Sequence, residues 1–397
     1  MFRFLTAGES HGKGLTVIVE GVPAGLKLDE DSLAVDLARR QVGYGRGGRM
    51  QIERDRAEIT SGVRHGRTLG SPIALYIENQ DWANWQESLS INPVAADIPP
   101  ITRLRPGHAD LAGALKYGHR DVRNILERAS ARETAARVAV GAVARRLAAE
   151  FGIEIHSHTL SIGGVIAKIE TPIDWSIVEA SSLHCADPEA EKAMIEAIDG
   201  AKAAGDTIGG IFEVIATGAP VGLGSHVHWD RRLDGRIAGA MMSIHAVKGV
   251  GIGAGFGVAH LRGSETHDVV EQTLLDPNPE GKRPVSPFHH VTNRAGGIEG
   301  GMSNGSPIVV HAALKPIPTL SNPLPSVDLL TGETVQAHFE RSDVCVVPAG
   351  GVIGEAMLAI VLAEAILEKF GGDNIDETKR NHLSYVKSLF ENRLFRP

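Results

Sequence analysis

Apolar and polar residues alternate in short runs over much of the chain and give way, in a few places, to helical spacing. Residues 15–20 alternate toward the turn Gly21-Val22-Pro23, which predicts a strand. Strands are also predicted at 57–63 and 71–78, between 153 and about 169, and at 211–217. Residues 32–41 read as a helix, with Asp29 or Asp31 near its start and arginines at its end, as the helix dipole favours. Residues 121–151, rich in Ala, Arg and Glu and stopped by Gly152, predict one long helix. An acidic surface helix is predicted at 188–204, another helix at 231–244, and a last long one from about 352 to Gly371-Gly372. Residues 280–305 are glycine-rich without period and predict loops. Residues 249–254 match G-x-G-x-x-A, but they follow a helical segment and no acid stands about twenty residues on to hold a ribose, so a loop is predicted there as well. Both long helices end in Phe-Gly and lie near a basic, serine-containing motif, which hints at a duplicated unit. No Pro/Ser-rich linker divides the chain, so residues 1–397 are expected to form a single intertwined domain.

Composition narrows the class. With 397 residues, 43% hydrophobic and 22% charged, the chain is ordinary for a soluble globular protein and long enough for a large core. Glu355, Glu364, Glu368 and Lys369 argue against the last helix spanning a membrane, and no secretory signal is evident at the start. Two scattered cysteines, Cys185 and Cys345, give neither a disulfide framework nor a zinc site, which fits a reducing cytoplasm or a plastid-like interior; a cytoplasmic location and no metal are expected. A net charge of -8 and 5% aromatic residues argue against a nucleic-acid binder. The arginines nevertheless bunch between residues 39 and 67 and between 103 and 132. Such bunching in an acidic chain predicts one pocket for a small, highly anionic ligand, because the guanidinium fork binds carboxylate and phosphate bidentately.

The densest candidate chemistry is Gly8-Glu9-Ser10-His11-Gly12-Lys13-Gly14, set between two apolar segments. Glycines allow close backbone approach, and His11 can give or take a proton. A Walker phosphate loop is excluded, since Gly14 follows Lys13 where Ser or Thr is needed. A second cluster, Arg103-Leu104-Arg105-Pro106-Gly107-His108-Ala109-Asp110, places a histidine after a turn, between arginine and aspartate. A third, residues 128–134, puts Arg128 and Arg132 on one helical face, while Ser130 joins them only near a helix start or break. Lys315-Pro316-Ile317-Pro318-Thr319 presents an amine and a hydroxyl from a stiffened backbone, and Arg341-Ser342-Asp343 pairs a cation with a carboxylate. Taken alone, these residues fit either an enzyme acting on an anionic substrate or a non-catalytic binder of phosphorylated ligands or RNA.

In order and spacing, the segments resemble the chorismate synthases over essentially the whole chain. Residues 8–12 with 15–23, residues 127–134, and Arg341-Ser342-Asp343 with Glu355 are similar to three family signatures. Tyr44-Gly45-Arg46-Gly47, Arg105 to Asp110, Asn293-Arg294-Ala295-Gly296-Gly297 and Lys315-Pro316-Ile317 add agreement. The resemblance implies an α+β fold, a β-α-β sandwich with long helices packed between two antiparallel sheets, an internal duplication and a homotetramer. It implies trans-1,4 elimination of phosphate from 5-enolpyruvylshikimate 3-phosphate to give chorismate, the last common step of the shikimate pathway. It further implies reduced FMN (FMNH2) without net redox change, NADPH only indirectly through an external flavin reductase, and no nucleic-acid or membrane partner.

Residue by residue, the resemblance places Ser10, Arg40, Arg46, Arg49, Arg105, Arg132 and Arg341 around the substrate. Arg128, Ala129, Ser130, His245, Ala246, Gly300, Lys315, Pro316, Ile317, Pro318 and Thr319, with Arg341, match flavin-contacting positions. His11 would protonate the departing phosphate, His108 would manage the proton on the flavin ring, and Asp343 would help remove the C6 hydrogen. The glycine-rich stretches 40–48 and 281–301 are expected to be mobile lids.

Overall fold

The structure, a computed structural model, describes residues 1–47, 54–273 and 286–391. Of the expected site residues, Arg49 lies outside these, as do Gly48 and residues 281–285 of the two expected lids.

The alternating runs pair into two antiparallel sheets. The first contains β1 (Arg3–Ala7), β2 (Gly14–Glu20), β3 (Ala57–Ser61) and β4 (Ile73–Glu78), in the order β1-β2-β4-β3. Every second residue of β2 and β4 (Leu15, Val17, Val19 and Ile73, Leu75, Ile77) is buried, so the period of two sets the inner face. The second sheet contains β5 (Glu154–Ile162), β6 (Val165–Ile166), β7 (Gly210–Thr217), β8 (Val247–Ile252) and β9 (Ile308–Leu314), in the order β8-β9-β7-β5-β6. Residues 249–254 therefore begin as a ladder strand rather than a loop, because Val250 and Ile252 alternate with glycines and pair with β9.

The helices are α1 (Glu30–Gln41), α2 (Asp110–Tyr117), α3 (Thr134–Ala149), α4 (Pro188–Ala203), α5 (Leu233–Met242), α6 (Val347–Phe370) and α7 (Ile375–Glu391). Asp29 caps α1 by accepting from the Ser32 amide at 2.8 Å. The first sheet packs on α3, the second on α6, and α3 and α6 lie against each other. Their approach is close: a Cβ added to Gly141 of α3 would come 2.2 Å from the Ala356 Cβ of α6. The helix α6 has a mean hydropathy of 1.9, long and apolar enough to cross a bilayer, yet 94% of that window is buried inside the protein. It begins at Val347 rather than near residue 352, with Gly350, Gly351 and Gly354 facing Leu314, Ser157 and Phe212 of the second sheet. Side chains at those glycines would push the helix off the sheet.

The single helix expected over 121–151 is broken. One turn, Arg123–Leu126, is followed by a 3₁₀ turn, Ala131–Glu133, and then by α3. Ser130 is extended (φ −72°, ψ 145°) and its hydroxyl accepts from the Arg132 amide. A serine hydroxyl that caps a backbone N–H in this way competes with helix continuation. The break falls at the serine-containing motif and turns it toward the N-terminal loop. The helix α4 buries Ala190, Met194 and Ile198 beneath an otherwise polar surface, and α7 was not foreseen at all.

Candidate active site

The Gly8–Gly14 loop joins β1 to β2 and is clamped from two sides. Gly8 has φ +111°, and a Cβ there would meet the Gly14 carbonyl at 2.3 Å, so the turn requires glycine. The Asn79 amide donates to the carbonyls of Ser10 (3.2 Å) and Gly12 (2.8 Å), while the Ser10 amide donates to the Glu127 carbonyl at 3.0 Å. The Glu127 carboxylate accepts from the His11 amide at 2.9 Å and lies 2.9 Å from His11 Nδ1. Trp85 stacks on the imidazole at 4.0 Å between ring centroids. Arg123 lies 5.1 Å from the Trp85 ring and donates to Glu127 at 3.0 Å. Ser130 Oγ is 3.0 Å from Ser10 Oγ, a contact that the break ahead of α3 makes possible.

Beside this loop the arginines converge. Arg40, at the end of α1, and Arg132, in the 3₁₀ turn, both pair with Asp55, whose side chain is fully buried. Arg40 also donates to Thr134 Oγ1 and to the Ala131 carbonyl, each at 2.9 Å. Burial pushes the Arg40 guanidinium down to about 10; Asp55 and Asp343 oppose this, and the like charges of Arg46 and Arg132 add to it. Arg46 lies 3.4 Å from the Asp343 carboxylate, which also accepts from the Gly47 amide at 2.6 Å. Arg46 is thus tied to the chain just ahead of α6.

The His108 cluster forms where Pro106-Gly107 turns into α2. Asp110, fully buried, lies 2.5 Å from His108 Nδ1 and accepts from Arg105 Nε at 2.8 Å and Nη2 at 3.0 Å. Burial raises the Asp110 carboxyl, but His108 and Arg105 outweigh it and hold the group well below the usual carboxylate range. Lys315 Nζ donates to the Gly107 carbonyl at 2.6 Å, and Thr319 Oγ1 accepts from Arg105 at 3.4 Å. Burial, then Lys248, lowers the Lys315 ammonium.

A cleft of about 480 Å³, its mouth included, opens beside Arg40 and Arg46; the His11 loop and the His108 cluster are not among its lining residues. Arg40, Arg46, Thr134 and Asp343 form its polar side, and Leu314, Ile317 and Ile353 contribute to its apolar side. His245 and Ala246 also line it. Burial lowers the His245 imidazole; Glu133 opposes, and Arg137, His108 and Arg128 add to the lowering. Its Nδ1 is buried without a hydrogen-bond partner. Ala246 has φ +68°, and its carbonyl accepts from the Lys315 amide at 2.9 Å. Pro316 follows Lys315 on this strap; the Ile317 carbonyl accepts from Thr207, and Pro318 approaches Gly107.

Other expected positions are not among the residues that line the cleft. Arg128 reaches back to the carbonyls of Thr6 (2.9 Å) and Gly8 (3.2 Å), and Ala129 is half-buried behind it. Arg341 is exposed, and Gly300 sits in the turn between Ile298–Glu299 and Met302–Ser303, where an added Cβ would approach only His226. Asp55, Trp85 and Glu340 are site residues that the sequence reading did not single out. Asp55 carried one usable signal, an acid between Arg54 and Arg56 in a basic stretch. The other two carry none.

A family model described as chorismate synthase matches residues 2–367. A chorismate synthase from Moorella thermoacetica is 57% identical over 394 residues, covering 98% of this chain and 100% of that protein. One from Geobacter sulfurreducens is 56% identical over 391 residues, covering 98% and 99%. A solved structure, a crystal structure of chorismate synthase, superposes with a TM-score of 0.77 at 45% identity, covering 98% of both chains. The chain belongs to the chorismate synthase family.

Proposed function

We propose that this chain converts 5-enolpyruvylshikimate 3-phosphate to chorismate by trans-1,4 elimination of phosphate, with reduced FMN bound beside the substrate. The observation that carries the reading is that Arg40 and Arg46 line the cleft with Arg132 close behind on Asp55, so that burial and the like charges lower Arg40 to about 10. An anionic ligand relieves that repulsion, and a substrate with two carboxylates and a phosphate supplies the charge.

The flavin fits the residues present. The cleft has an apolar wall beside a cationic one, and the buried His245 Nδ1 lacks a protein partner there. In this reading Ser130, His245, Ala246 and residues 315–319 hold the cofactor, with Arg128, Ala129, Gly300 and Arg341 contributing. Reduced flavin lends electron density to the allylic system, a task beyond any side chain. The protein's own groups handle charge and protons. With Nδ1 engaged by Glu127, His11 passes a proton to the leaving phosphate from Nε2. With Nδ1 engaged by Asp110, His108 exchanges a proton at Nε2 as well. The Asp343 carboxylate, oriented by Gly47 and Arg46, stands as the base toward C6. Ser10, Arg105, Arg132 and Arg341 orient the substrate, and Arg49 completes that set.

The same reading takes residues 1–397 as one domain, a β-α-β sandwich with an internal duplication in which each half supplies one sheet and one long helix. The packing of α3 on the first sheet and α6 on the second supports it. It also takes the protein as a cytoplasmic homotetramer served by an external reductase that uses NADPH. Anaerobic assay tests the chemistry: chorismate should form with chemically reduced FMN and not with NADPH plus oxidised FMN. No product in the first mixture sinks the reading, and product in the second sinks the need for a separate reductase.

A further inference from the structure

The two proposed proton-handling histidines share one design. Each turns Nδ1 to a carboxylate (Glu127 for His11, Asp110 for His108), and each carboxylate is held by an arginine, Arg123 or Arg105. Between the two arginines sits Glu340. Its Oε2 is 3.7 Å from Arg105 Nη1, and its Oε1 is 3.7 Å from Arg123 Nη2. Paired groups therefore run from His11 through Glu127, Arg123, Glu340, Arg105 and Asp110 to His108, and Arg105 Nη2 also lies 3.0 Å from His108 Nδ1.

We propose that Glu340 is a positioning residue that couples the His11 and His108 ends of the site, acting as the shared counter-ion of Arg105 and Arg123. The inference rests on the proposed roles of the two histidines. Three features support it. The chain of pairs is mostly buried: the side chains of Glu127 and Asp110 are 3% and 0% exposed, and that of Glu340 is 24% exposed. The arginines come from different segments, ahead of α2 and ahead of α3, and Glu340 is the acid that both reach. Burial raises the Glu340 carboxyl, but His338, Arg105 and Arg123 together hold it below the usual range, so it stands as an anion at neutral pH.

Other charged groups bear on the two ends. Glu9 lies in the His11 loop, and Asp81 accepts from Trp85 behind the ring. Near His108 stand Lys315, through Gly107, and His245. His338 faces Glu340 at 3.5 Å. Loss of the Glu340 charge leaves Arg105 and Arg123 less neutralised, which disfavours the imidazolium at both ends. Removal of that anion should therefore move both ends in the same, downward direction.

The test is E340Q, which keeps shape and removes charge, alongside E340D, which keeps charge. NMR titration of histidine Cε1 protons, with His11 and His108 assigned through their single substitutions, should show both midpoints lowered in E340Q and restored in E340D. The alkaline limb of the kcat profile should move in the same direction, with KM for the substrate changed less than kcat. A uniform fall in kcat with fixed midpoints, or movement of only one histidine, overturns the inference. The NMR measurement needs no turnover, so lowered midpoints in a protein without chorismate synthase activity would uphold the coupling while the functional reading failed.

Discussion

Asp55 supplies the sharpest test of how the cationic wall is held. Its buried carboxylate serves two buried guanidinium groups, Arg40 at 3.3 Å and Arg132 closer still. At 3.3 Å and an effective dielectric of about 20, the Arg40 pair alone is worth about 5 kcal/mol of attraction. Replacing Asp55 by Asn preserves volume but removes the charge, while both arginines have already given up their water. Truncating one partner of a buried pair costs about 3–5 kcal/mol. The retained amide keeps part of the hydrogen bonding, so D55N should lose about 3 kcal/mol. Equilibrium urea unfolding at pH 7, followed by the fluorescence of the four tryptophans, reads this as a lowered midpoint. Inorganic phosphate should raise the D55N midpoint more than that of the unmodified protein, because it returns negative charge to the same guanidiniums. An unchanged midpoint, or a loss that phosphate leaves untouched, would refute the reasoning.

Three further outcomes follow from the packing and the ion pairs. G141A should lose ~3 kcal/mol of stability by forcing α3 from the Ala356 backbone, and a melting curve within a degree of the unmodified protein would contradict that packing account. Burial raises the Glu355 carboxyl, but Arg145, Arg39 and Ser157 outweigh it and bring the group to about 2, against 4.5 when unfolded. The unfolded chain therefore takes up that proton first, so this stability is present above pH 4.5 and lost as pH falls toward 2. E355Q should be less stable at pH 7 and fall less steeply in acid; parallel pH curves would count against the pairing. H11A should keep flavin binding yet lose turnover by about 10²–10⁴-fold, the usual worth of a general acid. Unchanged turnover in an anaerobic assay removes His11 from the chemistry.

Much of the frame was legible because burial follows simple periods. Residues 15–20 and 73–78 announce strands by alternation, and Asp29 with the closing arginines announces α1. The long helix expected over 121–151 failed because Ala, Arg and Glu at helical spacing outweighed a cap signal within it. Ser130-Ala131-Arg132-Glu133 has the S-x-x-E form of a helix start, and Ser130 does cap the turn that follows. The sequence reading began α6 near residue 352, past Gly350 and Gly351, whose place in the helix shows only in their close contact with Leu314, Phe212 and Ser157. In the site, histidines and arginines stood out by type and clustering. Asp55, Glu340 and Trp85 did not, since their roles depend on partners as much as 235 residues away, as for Glu340 and Arg105. Arg128, which the resemblance matched to a flavin-contacting position, ties the chain to the carbonyls of Thr6 and Gly8, a contact that no local pattern announces.

The placement of Glu340 and Asp343 just ahead of α6 also governs when the protein acquires its site. Chains emerge N-terminus first, so the segments of the first sheet and α3, which carry Arg40, Asp55 and Arg132, leave the ribosome before the rest. Asp343, which meets Arg46, and Glu340, which joins Arg105 to Arg123, arrive only with residues 340–343, and α6 packs between α3 and the second sheet. A nascent or prematurely terminated chain thus carries the catalytic loop of His11 without the groups that couple it to His108. The coupling of the two histidines is therefore completed by segments that follow both sheets in the chain.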